Sequence, residues 1–216
     1  MSGHPGPYQR QQTGPRDRFA GFDVLGQARH WDQVTADLVT ARLSAPSGLA
    51  FFTPAEAACA RVLLNLLAGQ EDDQQISLLH MVDARLAAGE TDGWRYSGMP
   101  EDGQAWRDTL AILDEDAAKH GGTTFSDASE EDQLELIQAV QDLASGEWHG
   151  LNAAHVWSLW TRYACTALYA HPLAWNEIGF PGPAYPRGYK NTGVDKREPF
   201  EVRDTRPSGD PIREGA

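Results

Sequence analysis

An all-α fold, a single bundle of about six helices with an extended, Pro/Gly-rich C-terminal arm, is what this 216-residue sequence predicts. Three observations predict it. Apolar residues recur at three- and four-residue spacing in several separate stretches, the period of a helix with one buried face. Strand signals are almost absent, with no sustained two-residue alternation and no Asn-Gly or Asp-Gly turn between β-branched runs. From Pro181 onward large aliphatics are scarce and five of the first ten residues are Gly or Pro, so this part cannot build its own core. The expected boundaries are a disordered N-terminal lead over 1–20, a helical domain over 21–180 and the arm over 181–216.

The elements follow in order. Residues 1–18 are rich in Gly, Pro, Gln and Arg, a composition that does not order by itself. A first helix is expected from an Asp32 cap to Leu43, where Ala45-Pro46-Ser47-Gly48 breaks it. Thr53-Pro54-Ala55-Glu56 is the clearest helix start: Thr caps, Pro suits the first helical position, and Glu56 can bond back to the cap. The helix it opens should bury Ala55, Ala58, Cys59, Val62, Leu63, Leu66 and Leu67. A third, over about 74–88, presents Ile76, Leu79, Val82, Asp83 and Leu86. Residues 89–100 look like a connection. A fourth, over about 102–119, faces inward with Trp106, Leu110 and Leu113 and stops at Gly121-Gly122. The fifth starts at Ser129 and carries Leu134, Leu136, Ile137, Val140 and Leu143. The sixth opens after Asn152, runs to about Ala170 and ends at His171-Pro172, because the residue before proline avoids helical geometry.

Composition narrows the function. The chain is 41% hydrophobic, enough for a core, and its seven Trp exceed what one domain readily buries, which favours an interface. Net charge is -13, and residues 21–186 hold eight basic against 24 acidic side chains. Such a body repels phosphate backbones and anionic membrane surfaces, so no nucleic-acid partner is expected. No apolar run reaches the ~18 residues of a membrane span, and the first 20 residues lack both a signal-peptide core and a twin-arginine pattern. As encoded, the chain is expected to be cytoplasmic, with export alongside a partner left open. Cys59 and Cys165 sit in apolar helical patterns, where buried free thiols are the default; a disulfide between them is not readable from sequence.

Catalytic devices are missing: there is no GxSxG, no phosphate-binding GxxxxGK[ST], no HExxH, and no GxGxxG after a strand. The weak candidates are His80 with Asp83, three apart on one helix, and His149 with His155, flanking a helix start. For each, a surface or hydrogen-bonded core histidine is the plainer reading. No catalytic, cofactor-binding or metal residue is therefore assigned. The C-terminal arm is different. Trp175, Tyr185, Tyr189 and Phe200 recur among prolines and charges, and Arg187 stands between two of them. Prolines reduce the entropy lost on docking, aromatics anchor, and Arg makes forked polar contacts. These five residues are the expected partner-binding set; the alternative is that the segment folds back on its own chain, with Trp175 filling a gap.

The segment HPLAWNEIGFPGPAYPRGYKN, residues 171–191, resembles the C-terminal signature of the gluconate 2-dehydrogenase subunit 3 family. LAFFTPAEAACARVLLNLL resembles that family's early helix, and weaker similarity extends over roughly 21–204. The resemblance implies a small accessory subunit without a redox centre, bound to a large FAD-containing subunit of the glucose–methanol–choline type. That larger partner would oxidise a sugar, sugar acid or polyol, and a cytochrome c is a further partner the resemblance allows. Many members carry a twin-arginine signal; its lack here puts periplasmic export in doubt and favours a partner-stabilising role. Two other readings stay open: a free-standing helical enzyme using His80, His149 or His155, and an adaptor or chaperone unrelated to flavoproteins.

Overall fold

Helical periodicity and capping signals dominate the sequence, and they dominate the structure. A computed structural model describes Phe19 and residues 22–44, 48–70, 76–194 and 196–202. Apart from Phe19 the expected disordered lead lies outside the described residues, as do 203–216 of the arm. Among the described residues seven α-helices occur: α1 Gln33–Ala41, α2 Pro54–Ala68, α3 Leu78–Ala87, α4 Asp102–Gly121, α5 Glu130–Asp142, α6 Ala153–Ala170 and α7 Pro172–Ile178. A short 3-10 helix, Val24–His30, precedes α1, and another, Phe125–Asp127, precedes α5. The predicted all-α class holds. The described residues divide into two compact units, one built from residues up to 37 and from 173 onward, the other spanning 38–172.

In the 38–172 unit, α2 packs against α3, α4 and α6, while α5 packs on α4 and α6. Leu63, Leu64, Leu79, Leu110, Leu113, Val156 and Trp160 are fully buried or nearly so. The α2 stripe is corrected: Ala55 and Ala58 are exposed, and Ala57, Cys59, Ala60, Leu63, Leu64 and Asn65 are buried. Three neighbouring helices cover α2, so its buried sector is broad and is not the narrow stripe of a surface helix. Cys59 is buried and Cys165 is exposed, both as free thiols. The expectation of two buried thiols fails at Cys165 because α6 is apolar around much of its girth and turns Ala164, not its neighbour, inward.

The capping signals act as expected. The Thr53 hydroxyl accepts the Glu56 amide, and the Glu56 carboxylate accepts the Thr53 amide, a complete capping box. Asp32 accepts the Thr35 amide, Ser129 the Asp132 amide and Asn152 the His155 amide. The only strands among the described residues are Glu147–Trp148 and Leu151–Asn152, a minimal antiparallel hairpin. Its two turn residues, His149 and Gly150, both have positive φ, 48° and 83°. That geometry suits a tight hairpin, but His-Gly is not among the dipeptides that announce one.

Two polar assemblies hold the loops. Asp83, 1% exposed, accepts the backbone amides of Ala50 (2.7 Å), Phe51 (3.0 Å) and Phe52 (2.8 Å). Arg107 grips the same entry segment through Glu56 (2.7 Å) and the Phe51 carbonyl (2.7 Å). At residues 89–101, Asp92 is paired with both Arg85 and Arg162. Arg162 also reaches Asp102, which accepts the Tyr163 hydroxyl at 2.8 Å.

Two of these carboxylates, Asp92 and Glu56, tie the stability of the fold to acid. Burial would raise Asp92, but the hydrogen bonds and charges of Arg85 and Arg162 outweigh it and leave the carboxyl below its usual range. Burial likewise opposes the bonds from Thr53 and Arg107 that lower Glu56. Groups depressed in the folded state stabilise above their unfolded pKa, near 4, and that stabilisation is lost as pH falls through the folded values. His171, lowered by burial, is held neutral, so stability already declines gently as pH falls below about 6.5. Thermal melts from pH 8 to 3 should show that shallow loss followed by a steep one below about pH 4. Asp92→Asn should cost about 1–2 kcal/mol at pH 7 and flatten the steep limb; an unchanged limb would remove Asp92 from the account.

Candidate partner-docking surface

The unit containing the C-terminal segment is organised by proline and glycine. Pro172 cannot continue α6, whose last amide bonds end at His171, but it is well placed to open a new helix. Helix α7 therefore begins at once, where the His171-Pro172 pair by itself predicts only a stop. Its Asn176 side chain accepts the Val24 amide at 2.8 Å, joining α7 to the first 3-10 helix. Beyond α7, Gly179 and Gly182 have positive φ, 67° and 77°. A Cβ at Gly179 would sit 2.7 Å from the Phe19 ring, and one at Gly182 would sit 2.4 Å from the Trp31 ring. Both sites need glycine for two separate reasons: backbone conformation and the space the rings occupy.

The described residues of 181–202 contain no helix or strand, yet local bonds shape them. The Gly188 amide donates to the Ala184 carbonyl (2.8 Å) across a cis Tyr185–Pro186 bond. Glu198, 5% exposed, accepts the backbone amides of Lys190 and Asn191 and the Asn191 side-chain amide. A buried carboxylate with three donors is a strong local clip.

The five expected partner-binding residues are thereby sorted. Trp175 is buried and meets Phe180 edge-on at 5.2 Å. The guanidinium of Arg187 donates to the Gln27 side chain at 3.0 Å and lies 3.9 Å above the Phe200 ring. Phe200 is half-buried there, with the Tyr189 ring 6.0 Å away. Tyr185 and Tyr189 point outward, 64% and 56% exposed; Ile178 and Phe180 are also exposed. Trp175, Arg187 and Phe200 thus scaffold the segment, and the two tyrosines leave large amphipathic rings exposed. Their backbone is already fixed, which lowers the entropy lost on docking.

The histidine candidates are not brought to one site. His80 pairs with Ser77 (2.6 Å), and Asp83 faces the 50–52 amides instead of His80. His149 pairs with Asp116 (2.8 Å), and His155 stacks on Tyr96 at 3.8 Å. Sequence reasoning missed the loop that holds Tyr96. Its glycines and proline read as a mere connection, yet Trp94 and Tyr96 are 50% and 38% exposed, with Arg162 4.9 Å beneath Trp94. An open cleft of about 340 Å³ adjoins it, lined by Thr91, Gly93, Trp94, Arg95, Glu101 and Asp102. The tryptophan count was the available signal; which of the seven reach the surface depends on packing.

No helix among the described residues is long and apolar enough to cross a membrane. Neither the curated proteins nor the solved structures give a match. The family model described as gluconate 2-dehydrogenase subunit 3 matches residues 54–182, from the capping-box proline to the glycine beneath Trp31. Trp175 falls inside that span, while Tyr185, Arg187, Tyr189 and Phe200 lie past its end. With more than half of its length matched, the chain belongs to the gluconate 2-dehydrogenase subunit 3 family.

Proposed function

We propose that this chain is a non-catalytic small subunit that binds, and stabilises or matures, a larger FAD-dependent dehydrogenase of the glucose–methanol–choline type. The partner holds the flavin and oxidises a sugar, sugar acid or polyol; this chain supplies surface. The observation that carries the reading is the family match, whose description is that of one subunit of a dehydrogenase. The outward Tyr185 and Tyr189 on a bonded scaffold support it, as does the dispersal of His80, His149 and His155 among unrelated partners. An obligate pair of this kind should bury more than about 2,000 Å², with an apolar centre.

The chain isolated from its native cells through an affinity tag should bring down a flavoprotein in equal amount. The pair should oxidise a sugar or polyol with an artificial electron acceptor, and the chain alone should not. Recovery of the chain by itself, or only with partners lacking flavin, would refute the proposal. So would turnover by the chain alone.

A further inference from the structure

We infer that His120, Asp132 and Glu135 form a binding site for a borderline divalent transition-metal ion, with zinc the best match. His120 lies in the last turn of α4, while Asp132 and Glu135 stand three apart near the start of α5, so two packed helices contribute the set. The His120 Nε2 is 3.2 Å from Asp132 Oδ1 and 3.6 Å from Glu135 Oε2, and all three atoms lie within 4.8 Å of one another. An ion with ligand bonds of about 2.0–2.1 Å and tetrahedral angles holds its ligand atoms roughly 3.3–3.4 Å apart. Two edges of the triangle already have nearly that length. The third closes by rotation of Glu135, whose side chain is 62% exposed and free to turn.

Two carboxylates at a helix start would be ordinary complements to the helix dipole. The imidazole reaching them from a different helix, at ligand-edge distance, gives the set its metal character. Asp132 is also oriented from behind: its other oxygen accepts the Ser129 hydroxyl at 2.7 Å, leaving Oδ1 toward His120. Such outer-shell bonds fix a ligand before the ion arrives. One nitrogen and two carboxylate oxygens suit zinc, nickel or cobalt, whereas calcium and magnesium take all-oxygen shells. All three side chains are partly exposed, so water or a donor from another molecule can complete the shell.

The test is a zinc titration of the full chain by calorimetry, with any histidine tag removed. One ion per chain is expected, and His120→Ala and Glu135→Gln should each weaken binding at least about tenfold. Calcium and magnesium should give no comparable signal. The altered side chains are substantially exposed, so circular dichroism should show an unchanged fold; if one variant fails that check, the other decides. No zinc binding by the unaltered chain, or equally tight binding after both substitutions, would overturn the assignment.

Discussion

Replacing Tyr185 and Tyr189 together by alanine is expected to weaken the complex with the large subunit by about 2–4 kcal/mol, roughly 30- to 1,000-fold in affinity. Both rings are more than half exposed in the chain alone, so the loss should fall on assembly and not on folding. Thermal unfolding of the isolated variant should shift by no more than about 0.5 kcal/mol. Trp175→Ala makes the informative contrast. That side chain is 5% exposed, and its removal should cost about 3–5 kcal/mol of stability before binding is ever at issue. A tyrosine-pair variant that assembles as tightly as the original chain would move the docking surface elsewhere, with the Trp94 loop the next region to alter.

The second large effect concerns Asp83. Its alanine variant leaves the buried amide of Phe52 and the part-buried amides of Ala50 and Phe51 without this acceptor. Unpaired buried donors each cost about 1–3 kcal/mol, partly relieved by water entry, so a total near 3–5 kcal/mol is expected in urea unfolding. Asp83→Asn keeps one carbonyl acceptor and should lose about half as much. Equal stability of all three proteins would show that the 50–52 segment finds other partners.

Most of the helical framework was legible because its signals are local. A capping box needs four residues, and Thr53 through Glu56 supplied them; Ser129 and Asn152 announced their helices similarly. The α3 and α4 inner faces were also legible: Leu79, Val82, Leu86, Trp106, Leu110 and Leu113 are all buried, and so is Ile76, which lies just ahead of α3 and not inside it as expected. What escaped depends on neighbours far along the chain. The α2 stripe misled because three helices, not one, cover it. Cys165 misled because an evenly apolar helix does not state which side faces in. Asp83 gave no sign of its role, since its amide partners lie more than thirty residues away. In the arm, the residue types suited to docking were readable, but which of them point outward was not. Arg187 finds Gln27 160 positions distant, a pairing no local pattern encodes.

The seats at Gly179 and Gly182 bear on the order in which this molecule can be made. Phe19 and Trp31 leave the ribosome early, yet the backbone against which their rings rest is synthesised some 150 residues later. Domains generally fold as they emerge, amino-terminal parts first. Here the 38–172 bundle has all its own helices in hand while the opening aromatics still wait, uncovered, for their glycines. The Phe19 and Trp31 rings can thus be seated against Gly179 and Gly182 only after the whole of 38–172 has been synthesised.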